Sequence, residues 1–144
     1  PCSQAAPIEA GAHTAKKPFS FQRVNWTGKV PFEIHEMHAR HDGFELTFTH
    51  PADPASLTDT TKYLMEAYTY IYQKGYGSPV VDKSTPKITA AIPGKDGRSV
   101  RLVVEGLIKG HVHELHTPAI RQKGKDHPLL HPVAYYTLNE IPSK

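Results

Sequence analysis

The run Phe44-Glu45-Leu46-Thr47-Phe48-Thr49 alternates apolar and polar side chains without a break. A period of two puts Phe44, Leu46 and Phe48 on one face of a strand, with the other face left in water. Such a face has to be covered by a second apolar layer. A partner exists further along, where Val100, Leu102 and Val104 alternate with Arg101, Val103 and Glu105. The two runs are expected to form facing or adjacent parts of one core. Each follows an Asp-Gly pair, Asp42-Gly43 and Asp96-Gly97, a dipeptide that readily supplies the positive φ of tight turns.

The rest of the chain has the same texture from Pro18 onward: short extended segments punctuated by Gly, Pro, Asp and Asn, and no convincing stretch at helical period. Phe19, Phe21, Val24 and Trp26 mark a first extended segment, closed by Thr27-Gly28-Lys29. Phe32 and Ile34 give way to Met37 and Ala39, a slip of one residue that predicts a β-bulge at His35-Glu36. His50-Pro51 ends the second segment, and Asp53-Pro54 opens a short helical turn with Asp53 as N-cap. Tyr63 to Tyr72 is read as a strand despite a possible helical face through Leu64, Ala67, Tyr68 and Ile71, because Tyr68-Thr69-Tyr70-Ile71-Tyr72 is strongly β-prone. Tyr76 to Pro79 reads as a loop. Lys87–Ile92, Val112–Thr117 and Tyr135–Ile141 complete the strands, with Gly106–Gly110 and the basic loop Arg121–His127 as connections. Seven or eight strands with turns about every ten residues predict an all-β, Ig-like antiparallel β-sandwich over residues 18–144. Residues 1–17 are expected to be a flexible leader or interdomain linker.

Composition bounds the function. The 144 residues carry 17 Lys plus Arg against 14 Asp plus Glu, a net charge of +3. That excess gives no basic stripe of the kind nucleic acid requires. The single Cys, Cys2, excludes an internal disulfide and a thiolate zinc knuckle, and is read as incidental rather than as a lipid anchor. No apolar run approaches the ~20 residues of a membrane span. The chain starts at Pro1 with no signal-peptide pattern, so it is expected to be a segment of something longer.

Three constellations invite chemistry. His35, His38 and His41 are spaced by three, which alternates faces on a strand. His111 and His113 share a strand face and, with His116, offer a copper or zinc set, against which stands the reading of one core or edge histidine and two solvated ones. Tyr63, Tyr68, Tyr70, Tyr72 and Tyr76 crowd into one segment, which fits interdomain docking, stacking on sugar rings or plain core packing. Glu36, Glu45 and Glu114 sit at alternating positions where solvation explains them better than paired-acid glycoside hydrolysis. No Gly-x-Ser-x-Gly elbow occurs. Asn25-Trp26-Thr27 formally matches the N-glycosylation acceptor, and Arg121–Lys125 reads as solvated. The residues therefore assign no catalytic, cofactor-binding or metal site.

In the order of its pieces the chain resembles the bacterial Ig-like modules of large secreted proteins. These match at Phe44–Thr49 followed by Pro51–Ser56, at Asp96–Leu102, at Leu107-Ile108-Lys109-Gly110 and at His113-Glu114-Leu115. Over about 120 residues it is similar to a terminal β-domain of large extracytoplasmic bacterial proteins. The residues that carry this are Trp26–Ile34, Asp42–Phe48, Tyr76–Pro79, His113–His116 and above all Pro128–Pro142. In those proteins the domain follows a sorbosone- or quinone-dependent-dehydrogenase-like β-propeller, often beside a c-type cytochrome module. The resemblance implies a periplasmic or secreted, non-catalytic accessory module that packs on the propeller and cytochrome domains. A carbohydrate-binding module and a small His-ligated copper protein are the alternatives. Neither the propeller nor a Cys-x-x-Cys-His haem motif is present, so no quinone or haem cofactor carries over.

Overall fold

The computed structural model describes residues 23–144. Eight strands are present: β1 (Ile34–Arg40), β2 (Gly43–Phe48), β3 (Leu64–Tyr70), β4 (Val80–Ser84), β5 (Lys87–Pro93), β6 (Ser99–Glu105), β7 (His111–His116) and β8 (Val133–Leu138). A one-turn helix, Pro54–Thr58, and a 3-10 turn, Thr60–Lys62, lie between β2 and β3. The strands form two four-stranded sheets in the orders β1-β2-β6-β5 and β4-β3-β7-β8. Every pairing is antiparallel. The molecule is an all-β sandwich, as the alternation requires.

The core lies where the alternation puts it. Phe44, Leu46 and Phe48 from β2 pair alongside Val100, Leu102 and Val104 from β6, and all six are buried. The opposite sheet contributes Met65, Ala67, Leu115 and Leu138, while Leu57, Tyr63, Ile120 and Leu129 plug the ends. The register shift between Ile34 and Glu36 is the bulge expected at His35-Glu36. It turns Met37 and Ala39 onto the core. The closing strand also behaves as expected: Leu138 is fully buried, Tyr136 packs on the core and the whole strand pairs with β7. Its bounds shift two residues earlier on entry and three on exit, since Pro132 O accepts from the Thr117 amide and so docks the segment before Tyr135.

Two expectations are corrected. Val24 and Trp26 belong to no strand and stand exposed; Phe19 and Phe21, with the leader and Cys2, lie outside the described residues. In place of that strand the structure has β4, paired with the end of β3. Asp53 does occupy the helix N-cap with Pro54 behind it, but its side chain makes no capping bond; the Ser56 hydroxyl instead donates to the Asp53 carbonyl at 2.8 Å.

The β1–β2 hairpin turns on His41 and Asp42, and Gly43 is already the first residue of β2. Its φ is +155°, and a Cβ there would lie 1.9 Å from the Leu102 carbonyl oxygen. Glycine lets the backbones of β2 and β6 close up at the start of their ladder. Two stability predictions follow from these contacts. Leu102→Ala, at the centre of the core, is expected to lower unfolding free energy by ~2–5 kcal/mol in urea denaturation. Gly43→Ala should cost at least about 2 kcal/mol, because the obstacle is backbone rather than a side chain that can swing aside.

Candidate functional site

The two outer faces of the sandwich differ in kind. On the β1-β2-β6-β5 face the polar side chains pair with one another. Arg40 bonds Glu45, Glu36 meets His38 at 2.9 Å, and Arg101 holds both Asp42 oxygens at 2.7 and 2.8 Å. The Arg101 hydrogen bond holds the Asp42 carboxyl below its usual range, and the His38 hydrogen bond does the same for Glu36. Glu36 and Glu45 sit on this face and Glu114 on the opposite one, so these three acids cannot flank one substrate bond.

The opposite outer face carries tyrosine. Met65 and Ala67 point inward on β3, His113 and Leu115 on β7, and Leu138 on β8. Alternation then directs Leu64, Glu66, Tyr68 and Tyr70, Glu114 and His116, and Val133 and Tyr135 outward. The register aligns Glu66, Glu114 and Tyr135 in one row across three strands. Glu114 is the hub. The Tyr68 hydroxyl donates to its Oε2 at 2.8 Å, the Tyr135 hydroxyl reaches Oε1 at 3.4 Å, and His116 Nε2 lies 3.0 Å from Oε1. The hydrogen bond to Glu114 pushes the Tyr68 phenol up, and the Glu114 charge does the same to Tyr135.

The five clustered tyrosines thus divide among different environments. Tyr63 is core, its hydroxyl donating to the Leu57 carbonyl at 2.8 Å, and burial raises its phenol. Tyr68 and Tyr70 meet edge to face, with rings 5.6 Å apart at 88°. Tyr72 and Tyr76 stand fully exposed in the connection between β3 and β4. That connection is pinned at its base by the Ile71 amide on Pro79 O at 3.1 Å and inside by Gln73 Nε2 on Gly77 O at 2.9 Å. Exposed apolar side chains therefore recur from Tyr70 through Ile71, Tyr72 and Tyr76 to Val80.

The histidine sets do not assemble. His38 bonds Glu36 on the outer face, and His41 sits at the turn beside Asp42 and Arg101. His116 faces outward on Glu114, whereas His113 is buried between the sheets, 5.3 Å from the Phe44 ring. Among the described residues no three His, Cys, Asp or Glu side chains are grouped to hold a metal. The loop after Ile120 is likewise more than solvated chain at its ends: Arg121 donates to the Pro118 and Ile120 carbonyls, and buried Ile120 and Leu129 flank it. Sequence reasoning placed Glu114 as a solvated acid. The missing signal was cross-strand register, which alone shows that Tyr68 and Tyr135 come from opposite neighbours to meet it.

No protein-family model matches the chain, and no curated protein matches it by sequence. Among solved structures the fold is similar to surface layer protein SbsC, domains 1-6, with a TM-score of 0.58 at 13% identity, covering 79% of this chain and 14% of that one. It is similar in the same way to the N-terminal part of the bacterial S-layer protein SbsC, with a TM-score of 0.58 and 13% identity over 76% of this chain and 24% of that one. The likeness is one of fold. The chain spans under a quarter of the length of either structure.

His113 gives the site region a measurable pH signature. Its Nδ1 lies 3.3 Å from the His111 carbonyl, which can only accept, so that nitrogen carries the proton. Its Nε2 is buried without a partner. Protonating it would bury a charge and an unmatched donor, and burial lowers its affinity for the proton below the ordinary value of 6.5. Above pH 6.5 the ring is neutral in both folded and unfolded states. Below it the unfolded chain binds a proton that the folded one refuses, so stability falls with pH at up to about 1.4 kcal/mol per unit until the lowered folded value is reached. Thermal denaturation between pH 7.5 and 5 should show a shallower decline for His113→Leu than for the native chain. An identical slope in both would remove His113 from this role.

Proposed function

We propose that the chain is a non-catalytic accessory module, an Ig-like β-sandwich that docks against a neighbouring domain of a large extracytoplasmic protein. The carrying observation is the run of exposed apolar side chains at one end of the second sheet, Tyr70, Ile71, Tyr72, Tyr76 and Val80, on a connection pinned at its base. Contiguous exposed apolar surface on a folded domain marks a place where another surface belongs, and Tyr is favoured at such contacts. The occupant we favour is the β-propeller of the parent dehydrogenase-like protein, which the sequence resemblance implies. The fold supports a modular setting, because its structural neighbours use it as a small part of long surface proteins. A periplasmic or secreted location follows from the same reading.

The edge-to-face contact of Tyr68 with Tyr70 speaks against a flat sugar-stacking platform there, and the dispersal of His111, His113 and His116 speaks against the copper reading. Tyr72→Ser combined with Tyr76→Ser is the discriminating variant, since both residues are fully exposed and bear no packing. We expect its melting temperature to match the native one. Its association with the parent polypeptide lacking this domain, followed by isothermal titration calorimetry, should weaken by roughly tenfold or more. Unchanged association, together with loss of retention in polysaccharide affinity gels, would replace docking by sugar binding.

A further inference from the structure

We propose that β8 is a self-pairing edge, through which two copies of this chain join about a two-fold axis into one continuous antiparallel sheet. Among the described residues the two sheets end in four edges, at β1, β5, β4 and β8. An open edge is a template for another strand, and bulges, charges and prolines are the usual protection. Three of the four edges carry it. The β1 ladder slips between Ile34 and Glu36, and its strand bears His35, Glu36, His38 and Arg40. The β5 ladder slips between Ile88 and Ala90, and its strand begins at Lys87 and ends at Pro93. The β4 ladder slips between Ala67 and Thr69, and Asp82, in the left-handed region at φ +53°, is followed by Lys83. β8 has none of these. Val133-Ala134-Tyr135-Tyr136-Thr137-Leu138 holds no charge, glycine or proline, and it pairs with β7 along its whole length without a slip.

Backbone parity shows which groups that edge offers. The Thr117 amide donates to the Pro132 carbonyl at 2.7 Å. Bonded and unbonded pairs alternate along an antiparallel ladder. Ala134, Tyr136 and Leu138 therefore turn their amides and carbonyls to β7, while Val133, Tyr135 and Thr137 turn theirs outward. Among the described residues, the one backbone bond to this outward row comes from the Asn139 amide, on the Thr137 carbonyl at 3.1 Å. The Tyr135 ring leaves the row clear, since its hydroxyl reaches back over β7 to Glu114. The strand also matches itself. An axis through Tyr135 sets Val133 against Thr137 of the second copy and Tyr135 against its own counterpart, closing about six hydrogen bonds. β-Branched residues then meet on the outer face with an aromatic pair between them, and small Ala134 faces large Tyr136 on the inner one. Self-complementarity of this kind is what a two-fold interface requires, which singles out a second copy as the occupant. The joined sheet ends in the interrupted β4 on both sides, so assembly stops at two.

Sedimentation velocity on the whole chain, from low micromolar to several hundred micromolar, should show a monomer passing to a dimer and to nothing larger. One ladder is a small interface, so the affinity expected is that of a transient complex. Thr137→Pro removes an amide that β7 does not use, at a position where an edge strand tolerates proline; it should weaken dimerisation by roughly tenfold or more and keep the native circular dichroism. Thr137→Lys sets a charge on the edge without touching the ladder to β7 and should act in the same direction. Register is read by cysteine pairing in a Cys2→Ser background, with diamide as oxidant. Tyr135→Cys puts the two sulfurs beside the axis, at a Cα separation of about 5.5 Å that suits a disulfide, and should cross-link. Val133→Cys alone should not, because its counterpart lies about four residues along; mixed with Thr137→Cys it should. A chain that stays monomeric throughout, a dimer indifferent to both Thr137 variants, or cross-linking of Val133→Cys alone in preference to Tyr135→Cys overturns the proposal. So does growth past the dimer. Tyr72 and Tyr76 lie on the connection between β3 and β4, on the other side of the sheet from β8, so the docking assay is read independently at concentrations where the chain is monomeric.

Discussion

Everything in this sandwich is hung on the pairing of β2 with β6. Each of these strands buries three apolar side chains, Phe44, Leu46 and Phe48 on one and Val100, Leu102 and Val104 on the other, and they sit side by side in the middle of their sheet. Gly43 lets their backbones meet, with the Leu102 carbonyl occupying the space a side chain would need. Once they are joined, Phe44, Leu46, Leu102 and their neighbours present a continuous apolar slab. The second sheet closes over that slab with Met65, Ala67, Leu115 and Leu138. The hydrophobic term is nondirectional, so it is the ladder that decides which residues are left outside.

What is left outside differs sharply between the sheets. One outer face is a lattice of Arg, Asp, Glu and His pairs that neutralise each other locally. Exposed pairs of this kind contribute little to stability. The other face concentrates tyrosine hydroxyls and one imidazole on a single carboxylate, and its end carries apolar side chains into solvent. The docking reading draws on that imbalance through the apolar connection between β3 and β4.

Strands with strict alternation were legible in the sequence because a half-buried strand has no other way to write itself. That holds for β2, β6 and the Tyr136–Leu138 part of β8, and the bulge in β1 was visible as a slipped phase. β4 was not legible. Val80-Val81-Asp82-Lys83-Ser84 has no period, sits at an edge and buries almost nothing, so nothing in its composition had to change for it to pair. The reverse error befell Val24 and Trp26, which imitate part of a strand although both stand exposed. The parity of His113 with His111 was right, yet its burial depends on Phe44 lying across the sandwich, which no local pattern encodes. Glu114 failed for the same reason, since its partners lie 46 residues before it and 21 after.

The irregularity that hid β4 has a use of its own. Its register with β3 shifts between Ala67 and Thr69, and Asp82 sits in the left-handed region at φ +53°. An exposed edge strand offers unpaired amides and carbonyls to any passing extended chain. Here the row of offers is broken in its middle and followed by a lysine, so an incoming strand cannot zip along it. Two copies of a sandwich with smooth edges can fuse side by side into one continuous sheet. On this side a crooked border keeps each copy a separate body.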